Sequence, residues 1–145
     1  MQGHVARAET LIDAPPEVVW QALTAVGSDP DLMFGSEVVT DWEVGGPIVW
    51  RGVYEGKPFE DHGTVFAVEP PRRLTVDHFS PLSGEPDVPE NHHLLEYRLT
   101  PEGNGTRVVF EQDNNPTEEA AAHSAANWAM ALAGVKKVAE RGAPA

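Results

Sequence analysis

Residues 63–78 read Gly-Thr-Val-Phe-Ala-Val-Glu-Pro-Pro-Arg-Arg-Leu-Thr-Val-Asp-His. Two runs of strand-forming residues flank Pro70–Pro71, the arrangement of a β-hairpin rather than a helix. A turn centred on the prolines sets Val65 opposite Val76 and Gly63 opposite His78. The same punctuation recurs from Val38 to Gln112. Gly45–Gly46–Pro47, Glu55–Gly56–Lys57–Pro58 and Gly103–Asn104–Gly105 are turn chemistry between β-rich runs. Asn104-Gly105-Thr106 also fits a glycosylation acceptor, but its place between two such runs favours the hairpin reading. The longest break, Pro81 to Asn91, is an acidic loop with three prolines.

On the N-terminal side, Val5 to Ile12 alternate weakly as a first strand. Asp13 and Pro15–Pro16 signal a helix start, because a first turn has no use for its N–H groups. Val19, Ala22, Leu23 and Val26 follow at helical spacing beside Trp20, Gly27 to Pro30 end the helix, and Asp31 to Phe34 suggest another short turn. Beyond Pro116, Thr117 is placed to cap a helix whose first turn carries Glu118 and Glu119. Ala121, Ala125, Trp128, Leu132, Val135 and Ala139 then form one apolar stripe. The order is strand, short helices, about six further strands and a long C-terminal helix. This predicts one α+β domain over residues 1–145, with the last helix lying on an antiparallel sheet.

Turn positions extend the register. A hairpin at Gly56 sets Tyr54 opposite Phe59, Gly52 opposite Asp61 and Trp50 opposite Gly63. One at Gly103–Gly105 sets Leu99 opposite Thr106, Tyr97 opposite Val108, Leu95 opposite Phe110 and His93 opposite Gln112. Matching apolar faces puts Val76 beside Leu95 and His78 beside His93. One face then carries an apolar row, Ile48, Val65, Val76, Leu95 and Phe110. Next to it runs Trp50, Gly63, His78, His93 and Gln112, with Gly52, Asp61 and Ser80 beyond. The opposite face carries Arg51, Asp77, Glu96, Arg98, Arg107 and Glu111 and suits solvent.

The inner face is thus apolar at one end and polar at the other. Alanines on the covering helix and glycines at 52 and 63 remove volume, which suggests an internal cavity. Trp50, Tyr54, Tyr97 and Trp128 would clasp an aromatic ligand or pack the core. His78 and His93, with Asp61 or Gln112 to orient them, either line a wet cavity end, contact a ligand or transfer protons. His92 and His93 point to opposite faces, as strand neighbours do. No compact zinc motif is present, so neither metal nor cofactor is expected, although His78, His93 and Asp61 include ligand types.

Ten basic against twenty-three acidic residues give a charge of −13, with no basic cluster to attract nucleic acid or anionic membranes. There is no cysteine, which excludes disulfides and thiolate catalysis. The first residues lack an apolar core behind a basic start, and no run approaches a membrane span. The expected compartment is therefore cytoplasmic. Exposed strand edges are compatible with a homodimer.

Several segments resemble a known group. Ala14-Pro-Pro-Glu-Val-Val-Trp-Gln-Ala-Leu-Thr24 resembles the first helix of START-like (SRPBCC, Bet v 1-like) proteins. Asp41-Trp-Glu-Val-Gly-Gly46, Gly63-Thr-Val65, Val68-Glu-Pro-Pro-Arg-Arg-Leu74, Gly105-Thr-Arg-Val108 and the terminal helix with Trp128 resemble the activator of Hsp90 ATPase homologue 1-like branch. The resemblance spans about residues 5 to 140 and implies a helix-grip fold, a curved antiparallel sheet of six to seven strands around the C-terminal helix and a hydrophobic pocket. Members bind lipids, hormones or polyketides, catalyse cyclisation or related steps, or act as co-chaperones.

Three functions follow as expectations. The first is binding of a small apolar or aromatic molecule at Trp50, Tyr54, Asp61, Gly63, His78, His93, Tyr97, Gln112 and Trp128. The second is a cyclase, dehydratase or hydrolase using His78, His93 and Asp61. The third is a protein-interaction or co-chaperone module.

Overall fold

The computed structural model describes residues 1–142. Strand β1 (His4–Ile12) leads into helix α1 (Pro16–Leu23), whose first residue is the second proline of the pair, where a missing N–H costs nothing. Two short strands follow, β2 (Gly27–Ser28) and β3 (Glu37–Val39), separated by a 3₁₀ turn at Met33–Gly35. The meander β4 (Pro47–Tyr54), β5 (Lys57–Glu69), β6 (Arg73–His78), β7 (His93–Glu102) and β8 (Gly105–Asn115) comes next. Helix α2 (Glu118–Gly142) closes the chain, and Thr117 caps it by accepting the Ala120 N–H at 3.0 Å.

All eight strands form one unclosed antiparallel sheet in the order β1-β8-β7-β6-β5-β4-β3-β2. The count exceeds the expected six to seven because β2 and β3 are too short to show as patterned runs. Alternation is clean along β1, where Ala6, Ala8 and Ile12 are buried and Val5, Arg7, Glu9 and Leu11 are exposed. The buried residues of both helices and the inner sheet face form one core around Ile48, Val65, Val76, Leu95, Phe110 and Leu132. Helix α2 contributes Leu132, Val135 and Ala139 to it, with Trp128 and Val138 packed against it.

Half of the expected register holds. Val65 faces Val76, Val76 faces Leu95 and His78 faces His93. Two hairpins are tighter than expected, and each moves its partners by two residues. Tyr54 pairs with Lys57, not Phe59, across the two-residue turn Glu55–Gly56. Both turn residues have positive φ (50° and 78°), as a type I′ turn requires. Leu99 pairs with Val108, not Thr106, because Glu102 and Gly105 close directly around Gly103–Asn104. A shift of two preserves the faces but changes the rows. Trp50 therefore faces Asp61, Ile48 faces Gly63, Tyr97 faces Phe110, and Gln112 enters the row of Val76 and Leu95.

Two glycines let backbones meet. A Cβ at Gly63 would lie 2.6 Å from the Asp77 carbonyl carbon and closer still to its oxygen. One at Gly134 would lie 3.2 Å from the Asp31 carbonyl carbon and press on its oxygen. The second contact seats α2 on the segment before the 3₁₀ turn, where Asp31 also meets Lys137 (3.1 Å) and Arg141 (3.0 Å).

Candidate functional site

A cavity of about 40 Å³ lies between the inner sheet face and the helices. The sheet contributes Ile48, Trp50, Leu74, Val76, Leu95 and Tyr97; α2 contributes Ala131, Leu132 and Val135. The remaining wall comes from the end of α1 (Ala22, Leu23, Ala25), from Leu32, Met33 and Val38, and from Trp42. The space exceeds the roughly 10–15 Å³ that a single water needs and is too small for an aromatic ring. Burial pushes the Tyr97 phenol well above its ordinary pKa, so its hydroxyl stays neutral at physiological pH.

The thin side of this wall is strained. Met33, Phe34 and Trp42 all have positive φ (47°, 57° and 60°), a conformation side chains rarely adopt. Two of the three, Met33 and Trp42, line the cavity. The Trp42 indole N–H donates to the Thr24 carbonyl at 2.8 Å and ties this flap to the end of α1.

Trp50 forms the wall between the cavity and a polar cluster. Its ring meets His78 edge-on, with centroids 5.0 Å apart. His78 Nε2–H donates to Asp61 Oδ2 at 2.9 Å. The His78 and His93 rings are 6.5 Å apart and do not bond each other. Instead His93 Nδ1–H donates to the Asp113 carbonyl at 2.9 Å, which leaves Nε2 for another partner. Two buried atoms here, Asp61 Oδ1 and His78 Nδ1, have no partner among the described residues; Gln112 Oε1, on β8 opposite Leu95, is likewise buried without one. Such atoms are costly to bury and mark a place where water or ligand completes the bonding.

The sequence-expected residues thus divide. Trp50 and Tyr97 line the cavity; Asp61, His78 and His93 make up the polar end, and Gln112 lies opposite Leu95. Gly63 is buried against β6, and Trp128 stacks on Phe110 with centroids 4.2 Å apart. Tyr54 is 60% exposed at the β4–β5 turn. Sequence reasoning passed over Met33 and Trp42. Trp42 stood only within the family-like run Asp41–Gly46, and Met33 has no sequence signal beyond its neighbourhood to Gly35. Among the described residues no group of three or more His, Asp or Glu is arranged to hold a metal, and no helix is long and apolar enough to cross a membrane.

A second histidine cluster lies on the outer face. His92 Nδ1–H donates to Asp77 Oδ2 (2.8 Å) and its Nε2–H to Asp87 Oδ1 (2.6 Å). His62 Nε2 reaches the other Asp87 oxygen at 2.8 Å. The acidic loop is thereby latched to β5 through His62 and, through His92, to Asp77 of β6. Burial opposes charge on His92, but its hydrogen bonds to Asp87 and Asp77 outweigh that and raise its pKa above the ordinary 6.5. The bond to His92 holds Asp87 below its ordinary 3.8. The latch therefore contributes fully between these ordinary values. It weakens as pH rises through the raised His92 pKa, or falls through the lowered Asp87 pKa. Amide exchange in residues 81–91, corrected for intrinsic rate, should be slower near pH 5.5 than near pH 8. His92→Gln should abolish that difference.

A curved antiparallel sheet gripping a long C-terminal helix over an apolar space defines the helix-grip class, the START-like or Bet v 1-like proteins. Within that class, the chain belongs to the family described as Activator of Hsp90 ATPase homolog 1-like protein, whose profile matches residues 13–140. It is similar to the solution structure of ChR145 from Cytophaga hutchinsonii, with 43% identity over 97% of each chain and a TM-score of 0.82. The Aha1 dimer from Colwellia psychrerythraea shares the fold at 22% identity (96% of this chain, 98% of that one, TM-score 0.71). So does DynU16, a putative protein of the dynemicin biosynthetic locus, at 18% identity and TM-score 0.73; the match covers 99% of this chain and 49% of that one. No curated protein matches the chain.

Proposed function

We propose that the protein binds a small, mainly apolar or aromatic molecule between the sheet and α2, with its polar end toward Asp61 and His78. The observation that carries this reading is the apolar cavity walled by Trp50, with the unpartnered buried atoms of His78 and Asp61 beyond that wall. Its small volume means the ligand enters by displacing side chains, and the strained flap of Met33 and Trp42 is the part of the wall built to yield. The polar end also selects chemistry. Asp61 Oδ1 accepts hydrogen bonds, as does Nδ1 of a neutral His78 whose Nε2–H serves Asp61. A complementary ligand brings donors such as hydroxyl groups, and a carboxylate would face Asp61 with like charge.

As a probe pair, 2-naphthol should bind at least tenfold more tightly than 2-naphthoate, a difference of about 1.4 kcal/mol. Ala131→Val, which adds two methyl groups' worth of volume to the cavity wall from α2, should weaken 2-naphthol binding in calorimetry while circular dichroism keeps its native form. Equal binding of the two probes would remove the donor argument. Undiminished binding by a folded Ala131→Val protein would remove the cavity as the site.

The Asp61–His78 pair supports a second reading, in which the scaffold transfers protons to or from the bound molecule. In that case His78→Ala combined with His93→Ala abolishes turnover of an identified substrate and leaves the fold intact. Unchanged turnover would reject it. The family name suggests an action on Hsp90 through the surface, but the described residues offer no feature that favours it over the cavity.

A further inference from the structure

We propose that the free edge of β1 pairs with the β1 edge of a second copy, joining two sheets about a two-fold axis at Ala8. β1 is the end strand of the sheet, hydrogen-bonded to β8 on one side only. Strand residues alternate the direction of their backbone groups, and two bonds fix the direction here. The Leu11 carbonyl accepts from Lys136 Nζ (3.0 Å), and the Asp13 N–H donates to Glu140 Oε2 (2.9 Å). Odd-numbered residues therefore present their N–H and C=O groups to the free edge. Lys136 and Glu140 cover its far end, and Arg7 and Glu9 remain open.

This stretch is complementary to itself in one register. An antiparallel pairing of two β1 edges must match odd residues with odd residues. Centred on Ala8, it sets Arg7 opposite Glu9 of the second copy, Glu9 opposite Arg7, and Val5 opposite Leu11. Centred one residue either way, it sets Arg7 against Arg7 or Glu9 against Glu9, and like charges directly opposite are destabilising. In the Ala8 register the two Arg7–Glu9 pairs exchange four backbone hydrogen bonds, and Val5 and Leu11, both exposed, cover one another. Of the usual edge protections the strand has no proline, its bulge lies at the beginning, between His4 and Ala6, and its charges, Arg7 and Glu9, are of opposite sign and so match rather than repel in this register.

The helix above is shaped to allow this. α2 overhangs β1 with small side chains, and Ala121, Ala122 and Ala125 face His4 to Arg7 across a groove of about 320 Å³. Ala126, Ala129 and Ala133 are also exposed. Two such helices can lie side by side over the joined strands with these alanines facing one another. An isologous dimer of this form leaves the ligand cavity untouched and stands independently of the binding reading.

Charge exchange tests the register. The wild type should dimerise in analytical ultracentrifugation, with concentration-dependent exchange protection of the Arg7 and Glu9 amides. Arg7→Glu and Glu9→Arg should each weaken the dimer about tenfold, by turning two opposite-charge pairs into like-charge pairs. Equimolar mixing of these two single variants should restore dimerisation, because every cross-strand pair in the heterodimer is again of opposite sign. The double exchange should restore it as well. A wild type that stays monomeric, a dimer indifferent to either single variant, or a mixture that fails to recover would each overturn the proposal. Native circular dichroism for every variant separates these outcomes from misfolding.

Discussion

Gly63→Ala is expected to lower folding stability by about 3 kcal/mol or more, the upper range for a forced steric insertion. The added methyl would collide with the carbonyl group of Asp77. The obstacle is backbone, so no rotamer change relieves it. Asp77 is doubly fixed, because its side chain accepts the Thr64 N–H at 2.5 Å and bonds His92. Separating the strands to make room would also pull Asp61 away from His78. Gly56→Ala is the informative control, since that turn glycine has φ 78° with nothing within 4 Å of an added Cβ. Its cost should be about 1 kcal/mol, from backbone conformation alone. Urea denaturation of the two variants measures the difference. A smaller loss at position 63 than at position 56 would contradict the close approach of β5 and β6.

Phe110→Ala should cost about 3–5 kcal/mol, the range for deleting a large buried ring. Phe110 is fully buried between Tyr97 and Trp128, with ring centroids at 4.8 and 4.2 Å, and so joins the sheet centre to α2. Its loss would free the Trp128 ring, so near-ultraviolet dichroism and tryptophan emission should change in the folded state as well as the denaturation midpoint. Tyr54→Ala, at an exposed turn, should leave the midpoint within about 0.5 kcal/mol of wild type. Comparable losses at the two positions would contradict the packing described for the core.

The layers of the fold were legible because apolar periodicity reports burial directly. The α2 stripe, the alternation of β1 and the Thr117 cap all follow from residue type. The rows were less legible, because a hairpin register depends on turn length, and turn residues do not announce it. Glu55–Gly56 could belong to a four-residue loop until the positive φ of Glu55 is seen. The correct pairing of Val65 with Val76 has a further cause. The hairpin closes at Glu69 and Arg73, one residue away from a turn centred on the prolines, and the bulge at Phe66 restores the difference. Composition alone shows neither.

The site was legible to the same depth. Face alternation brought Trp50, Asp61, His78, His93 and Tyr97 to one surface, since faces survive a two-residue slip. The His78–Asp61 contact crosses the β5–β6 pairing, where the expected register holds, whereas only the true β4–β5 register sets Asp61 beside Trp50 and not one step beyond it. The flap could not be read at all. Left-handed conformations at Met33 and Trp42 are imposed by their surroundings and have no local signature in residues that ordinarily avoid them. The outer latch escaped because His92 was weighed only as a neighbour of His93, while its partner Asp87 lies in the acidic loop.

On the proposed function, the space between sheet and helix accepts an apolar molecule. Methyl-resolved NMR during a 2-naphthol titration tests it most directly. Saturable shifts should concentrate on Ile48, Val76, Leu95, Leu132 and Val135, with the indole signals of Trp42 and Trp50 moving in step. An absence of shifts up to the solubility of the probe would contradict the claim. So would saturable shifts confined to exposed residues such as Val53 and Leu82.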